Sequence, residues 1–128
     1  MLLLDTCILI WLDASPEAIS ENARRAIRDN PSSLFASSFS ALEVAIKCRK
    51  GKLALSSSPE AWFPGVLAAH GIAEIPMDAA IAMRSASLPA IHADPADRVI
   101  VATAQVHSLR LVTPDPLIHA YPDTNCVW

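Results

Sequence analysis

Four short apolar runs, Leu2–Leu4, Leu34–Ser37, Ile72–Ile75 and Leu109–Thr113, are spaced along the chain with helical signals between them. Strands that alternate with helices cannot be joined by tight turns. They pair side by side in parallel, with the intervening helices covering the two faces of the sheet. The sequence therefore predicts an α/β fold: a three-layer α/β/α sandwich around a central, mostly parallel sheet. A fifth, edge strand is expected within Thr124–Trp128.

The helical signals are explicit. Thr6–Asp13 reads as a short buried helix or turn. Ser15-Pro16-Glu17 has a capping serine, a proline at the first helical position and an acid in the first turn, which predicts a helix to about Asp29, ended by Asn30-Pro31. Ser40-Ala-Leu-Glu43 fits a capping box, and the spacing of Leu42, Ala45 and Ile46 carries that helix to about Lys50, with Gly51 closing it. Ser57 or Ser58 with Pro59 starts a helix to about Ala69, broken by Gly71. Asp78 starts a helix to Ser87, Asp94-Pro95 one that ends near Ser108, and a helical turn is expected over Asp115–Ala120.

With 128 residues, 52% of them hydrophobic, and no repeat or linker, residues 1–128 are expected to form one domain with a proper core. A net charge of −3 is no electrostatic footprint for nucleic acid, yet it is compatible with a metal site flanked by a local basic patch. The three cysteines lack metal-ligand spacing and read as reduced, packed thiols, in keeping with a cytoplasmic protein. The apolar start MLLLDTCILIWLD is interrupted by Asp5 and is far shorter than a membrane helix needs, so it reads as buried structure.

In open parallel sheets the reactive crevice lies beyond the carboxyl ends of the strands. Asp5 ends the first strand and Asp115 follows the fourth, so both should emerge at one rim. Each candidate acid also has a plain structural reading. Asp5 is placed to cap a helix, Glu43 to complete the capping box with Ser40, and Asp97 to favour a helix amino terminus. Asp115 is placed to sit in a turn between Pro114 and Pro116. Taken together they point elsewhere. Asp5, Glu43 and Asp97 adjoin strongly apolar segments, where an unpaired carboxylate is costly, and several carboxylates at one rim repel unless a hard divalent cation joins them.

The stretches LLLDTCILIWL, SALEVAIKCRKGKL, HADPADRVIVATAQ and LVTPD, in that order over most of the chain, resemble the PIN-domain ribonucleases, and specifically the VapC-type toxins of bacterial toxin–antitoxin pairs. The resemblance implies a PIN-like fold in which Asp5, Glu43, Asp97 and Asp115 hold Mg²⁺ or Mn²⁺. It implies hydrolysis of RNA phosphodiesters by a metal-activated water, a homodimer and an antitoxin partner. Pro114 departs from the pattern, because such toxins often carry a polar or basic residue there. Its backbone donates no hydrogen bond, which leaves the position of Asp115 to be found in the structure.

Asp94 has two readings, helix cap and water-mediated ligand, of which the cap is favoured. The hydroxyls of Thr6 and Thr113 lie near the rim, suited to orienting a water or to local backbone bonding. Lys47, Arg49, Lys50 and Lys52 form the one dense basic stretch, either a solvated helix end or a contact for RNA phosphates beside Glu43. Arg98 is placed to pair with a carboxylate or a phosphate. The four histidines have no zinc spacing; His92, nearest the rim, has two readings, a donor to substrate and a loop residue, of which the loop residue is favoured. Trp11, Trp62 and Trp128 read as core or interface anchors. The apolar faces near Ala18–Ile27 and Trp62–Leu67 are candidates for burying a twin subunit or an antitoxin.

The expectation is thus a metal-dependent endoribonuclease. Two alternatives stand beside it. One is a phosphoryl-accepting α/β binding module, which wants paired acids at the first strand and a late lysine, whereas none follows Lys52. The other is a catalytically degenerate PIN-like scaffold.

Overall fold

Leu2, Leu3 and Leu4 have no solvent exposure, so the strand they form must be covered on both faces. A computed structural model describes residues 1–128 and shows that covering. In chain order the elements are β1 (Leu2–Leu4), α1 (Thr6–Ala14), a 3-10 turn (Pro16–Ala18), α2 (Glu21–Asp29), β2 (Leu34–Ser37), α3 (Ser38–Arg49) and α4 (Pro59–His70). They continue with β3 (Ile72–Ile75), α5 (Ala79–Ser87), α6 (Pro95–Val106), β4 (Arg110–Val112), α7 (Pro116–His119) and β5 (Cys126–Val127).

The strands form one five-stranded sheet in the order β3-β2-β1-β4-β5, and every neighbouring pair is parallel. β1 is central. The chain winds outward on one side through β2 and β3, then returns to the other side through β4 and β5. The reversal between β1 and β4 is a topological switch point, and the crevice it opens lies at their carboxyl ends.

Strand alternation divides the core in two. Leu2 and Leu4 join Ile8, Leu9, Trp62, Phe63 and Val66 under α1 and α4. Leu3 faces the other way, with Ile81, Ile100, Val101 and Ile118 from α5, α6 and α7. Burial of that order, at about 1.5–3 kcal/mol for each large aliphatic side chain, is what holds three-residue strands in place. The 3-10 turn apart, the helical layers follow the expected boundaries closely. Ser58 caps α4 through Ala61 N, Asp78 caps α5 through Ile81 N, and Gly71 ends α4 in the left-handed conformation, φ 63°.

Two expected helix starts are corrected. Ser15 makes no side-chain cap, and Pro16 opens only the three-residue turn. Ile19 then leaves the helical region to reach the core, 1% exposed, and Ser20 starts α2 by accepting from Ala23 N at 3.1 Å. Likewise α3 starts at once after β2, capped by Ser37 accepting from Phe39 N at 3.0 Å. Ser40 is fully buried inside the helix, bonded to the Thr6 hydroxyl at 2.8 Å, so the Ser40–Glu43 capping box does not form.

The expected partner faces are corrected as well. Trp62, Phe63, Val66 and Leu67 lie in this chain's own core, as do Ile19 and Ala23. The large apolar residues left exposed are elsewhere, among them Leu42 and Ile46 on α3 and Met83 on α5. The tryptophans are structural: Trp62 donates to Asp13 Oδ2 at 2.9 Å, and the rings of Trp11 and Trp128 pack 5.9 Å apart. No helix is long and apolar enough to cross a membrane.

Candidate functional site

Asp5 leaves the end of β1 and caps α1. Its backbone N–H donates to Val112 of β4, which fixes it at the switch point. Its Oδ1 accepts from Thr6 N at 2.7 Å and its Oδ2 from the Thr113 hydroxyl at 2.7 Å. Thr113 also accepts from Asp115 N at 3.1 Å, so one hydroxyl ties the acid after β1 to the acid after β4. Pro114 between them does not displace Asp115, whose Oδ1 caps α7 through Leu117 N at 2.9 Å. The hydroxyl of Thr6 is turned to Ser40.

Asp97 sits in the first turn of α6. Its Oδ2 lies 2.8 Å from His92 Nε2, and Asp115 Oδ2 lies 3.0 Å from the same nitrogen. The ligand-capable atoms of His92, Asp97 and Asp115 all fall within 4.8 Å of one another. His92 is therefore part of the site and not a loop residue apart from it. The sequence offered one signal for this. A histidine two residues before a capping aspartate can accept that residue's N–H, and His92 Nδ1 does so from Asp94 N at 3.2 Å. Asp94 itself caps α6, with Oδ1 accepting from Ala96 N at 2.8 Å.

Glu43 lies one turn into α3, and its Oε2 pairs with Lys47 at 3.0 Å. Its Oε1 is buried and has no hydrogen-bond partner. Beside it runs a groove of about 380 Å³, with an apolar lining of Phe39, Leu42 and Ile46 and a basic lining of Lys47, Lys50 and Lys52. Arg98 takes no part in the acidic cluster. Its guanidinium donates to four backbone carbonyls, those of Ser85, Leu88, Pro89 and His92, and so pins the loop that carries His92.

Electrostatics link the acids that hydrogen bonds do not. Burial raises the Asp5 carboxyl above its ordinary value; the bonds from Thr113 and Thr6 work against this, and the charges of Glu43 and Asp115 add to it. Burial also drives Asp97 up, with Asp5, Asp94 and Glu43 adding and His92 opposing, to about 7. For Lys47 burial works downward, but the hydrogen bond and charge of Glu43 outweigh it and hold the ammonium above its usual range. Burial and the nearby acids Asp5, Glu43 and Asp97 push the Cys7 thiol far up, and Cys126 rises to about 11, so both are unreactive thiols.

The four expected acids thus share one end of the sheet but not one bonding point. Asp97 and Asp115 meet at His92, Asp5 joins Asp115 through Thr113, and Glu43 stands nearest its own lysine. The donor set suits a hard cation. It is built from carboxylate oxygens, its members raise one another's proton affinity, and the orphaned Glu43 Oε1 is a buried acceptor without a hydrogen-bond partner.

Known proteins agree with this picture. Residues 2–123 match the PIN domain. Ribonuclease VapC22 of Mycobacterium tuberculosis is 32% identical over 129 residues, covering 98% of this chain and 97% of that protein. A toxin–antitoxin complex from Klebsiella pneumoniae contains a chain 25% identical, with a TM-score of 0.66 and coverage of 97% of this chain and 95% of that one. In VapBC2 from Rickettsia felis, bound to a DNA fragment from its promoter, the similar chain reaches a TM-score of 0.72 at 13% identity, with coverage of 98% and 96%. The chain belongs to the PIN-domain family, as a member of the VapC type.

Proposed function

We propose that this protein is a metal-dependent endoribonuclease that acts as the toxin of a toxin–antitoxin pair. The observation that carries the reading is the gathering of buried and half-buried acids from four separate stretches near the β1–β4 switch point, with Glu43 Oε1 unpartnered among them. In this reading Asp5, Glu43, Asp97 and Asp115 hold Mg²⁺ or Mn²⁺. Bound there, such an ion supplies Lewis acidity toward a phosphodiester and neutralises charge on the leaving oxygen.

The chain's own groups do the rest. Thr113 keeps the Asp5 carboxylate turned to the rim and the loop to Asp115 closed. Lys47, Lys50 and Lys52 line the groove beside Glu43, where they are suited to seat the phosphates of a single strand; such contacts position a strand without reading its sequence. Hydrolysis in this site joins the oxygen of water to phosphorus and expels the 3′-oxygen, which leaves 3′-hydroxyl and 5′-phosphate ends.

An antitoxin would silence the enzyme by covering this crevice with a basic side chain set against the acids. The similarity to chains solved as toxin–antitoxin complexes supports such a partner. The exposed Leu42 and Ile46, which adjoin the groove, are apolar surface that a partner or a second copy would bury.

The test is cleavage of single-stranded and structured RNA by the purified chain with Mg²⁺ or with chelator. Asp97→Asn is expected to lower the rate at least a hundredfold, and chelator to abolish it. Cleavage that persists in chelator, or is untouched by Asp97→Asn, overturns the reading.

A further inference from the structure

His92 has every polar atom engaged. Its backbone N–H donates to the Tyr121 hydroxyl at 2.9 Å, and its carbonyl accepts from Arg98 at 3.3 Å. Its ring Nδ1 faces the Asp94 backbone N–H at 3.2 Å, and its Nε2 faces Asp97 Oδ2 at 2.8 Å and Asp115 Oδ2 at 3.0 Å. The tautomer follows from these contacts. A backbone N–H can only donate, so Nδ1 is the accepting nitrogen and the ring proton sits on Nε2, where it donates to Asp115 Oδ2 with Asp97 Oδ2 close by.

That arrangement selects among the roles open to a histidine beside acids. As a cation ligand His92 would need the Nε2 lone pair, and hence would have to move its proton to Nδ1 and give up the Asp94 N–H. As a donor it is already complete. Asp97 comes from the start of α6 and Asp115 from the cap of α7, and two anions on separate elements repel unless something joins them. We propose that His92 is a positioning residue: its Nε2–H donates to Asp115 while the ring nitrogen packs against Asp97, and so it sets the spacing at which those two carboxylates receive a divalent cation. Arg98 and Tyr121 hold the main chain of His92 so that the ring cannot drift from this seat. The inference rests on the reading of Asp97 and Asp115 as cation ligands.

The experiment is a Mn²⁺ titration of the full chain, followed by calorimetry or by the electron spin resonance of free Mn²⁺. Wild type, His92→Ala, His92→Gln and Asp97→Asn are compared. Loss of a group that orients metal ligands weakens affinity by roughly 10- to 100-fold, and His92→Ala should fall in that range. His92→Gln keeps an N–H donor and should recover most of the loss. If His92→Ala binds Mn²⁺ as well as wild type while Asp97→Asn does not, the positioning role is overturned and the ligand reading survives. If Asp97→Asn also binds normally, the ligand reading itself has failed. His92→Gln no better than His92→Ala overturns the donor role. ¹⁵N NMR of the metal-free wild-type chain tests the tautomer with no variant: a proton on Nε2 is expected, and a proton on Nδ1 overturns the proposal.

Discussion

Thr113 is fully buried, and its one hydroxyl serves two residues: it donates to Asp5 Oδ2 and accepts from Asp115 N. Thr113→Val keeps the shape and removes both bonds. A buried polar group stripped of its partner costs about 1–3 kcal/mol, and the variant should lose stability in that range by urea denaturation. Because the Thr113 bond lowers the Asp5 carboxyl's affinity for protons, its loss should also raise the Asp5 pKa further, a shift readable by carboxyl NMR titration. Thr113→Ser restores the hydroxyl and should restore most of the stability. A Thr113→Val protein as stable as wild type would show that Asp5 is held by Thr6 N alone.

The amino-terminal turn of α6 separates two roles of neighbouring acids. Asp94 caps the helix through Ala96 N, while Asp97 faces His92. An asparagine caps as well as an aspartate, whereas alanine costs about 1 kcal/mol. Asp94→Asn should therefore leave thermal stability within a few tenths of a kcal/mol, and Asp94→Ala should lower it by about 1 kcal/mol. Neither should abolish RNA cleavage, which separates the cap from a ligand; abolition by Asp94→Asn would make it one. Since Asp94 charge raises Asp97, Asp94→Asn should also bring the Asp97 pKa down from about 7. This turn was legible in the sequence because aspartate followed by proline is a local signal, read without knowing the fold. Ser15 and Ser40 carried equally good local signals and failed. Ile19 needed to leave the helix to reach the core, and Ser40 was wanted inside α3 as a partner for Thr6. Tertiary burial overrides local capping there, and no short window contains it. The placement of Asp5 and Asp115 at one rim was legible because each follows a strand; Glu43 and Asp97 were marked out only by the apolar segments they adjoin and by the motifs that carry the family resemblance. His92 was legible only in its local contact with Asp94, because its partner Asp115 lies 23 residues away and only the fold joins them.

At the scale of the molecule, the clustered acids make the metal-free protein sensitive to pH in an uncommon direction. The Asp97 carboxyl rises from the ordinary 3.8 to about 7 in the fold, with burial the leading cause, and Asp5 is raised too. Between those values the folded chain binds more protons than the unfolded one. Stability that these groups contribute is therefore fully present below about pH 4 and is lost as pH rises through about 7. Most surface carboxylates, held below their ordinary values, act in the opposite sense. In chelator the melting temperature should accordingly fall between pH 5 and pH 7.5, and Asp97→Asn, which has no proton to lose, should remove a large part of that slope. A divalent cation held as proposed would bind the ionised cluster in the folded chain only, so its stabilisation should grow over the same interval and flatten the curve. Differential scanning calorimetry at several pH values, with chelator and with Mg²⁺, reads all three effects. A metal-free melting temperature that climbs from pH 5 to pH 7.5 would mean that these acids are held ionised in the fold by a counter-charge of the chain's own. In that event Asp97 must be relieved by Lys47 or His92 more fully than its burial permits, and the cluster would have no need of a cation.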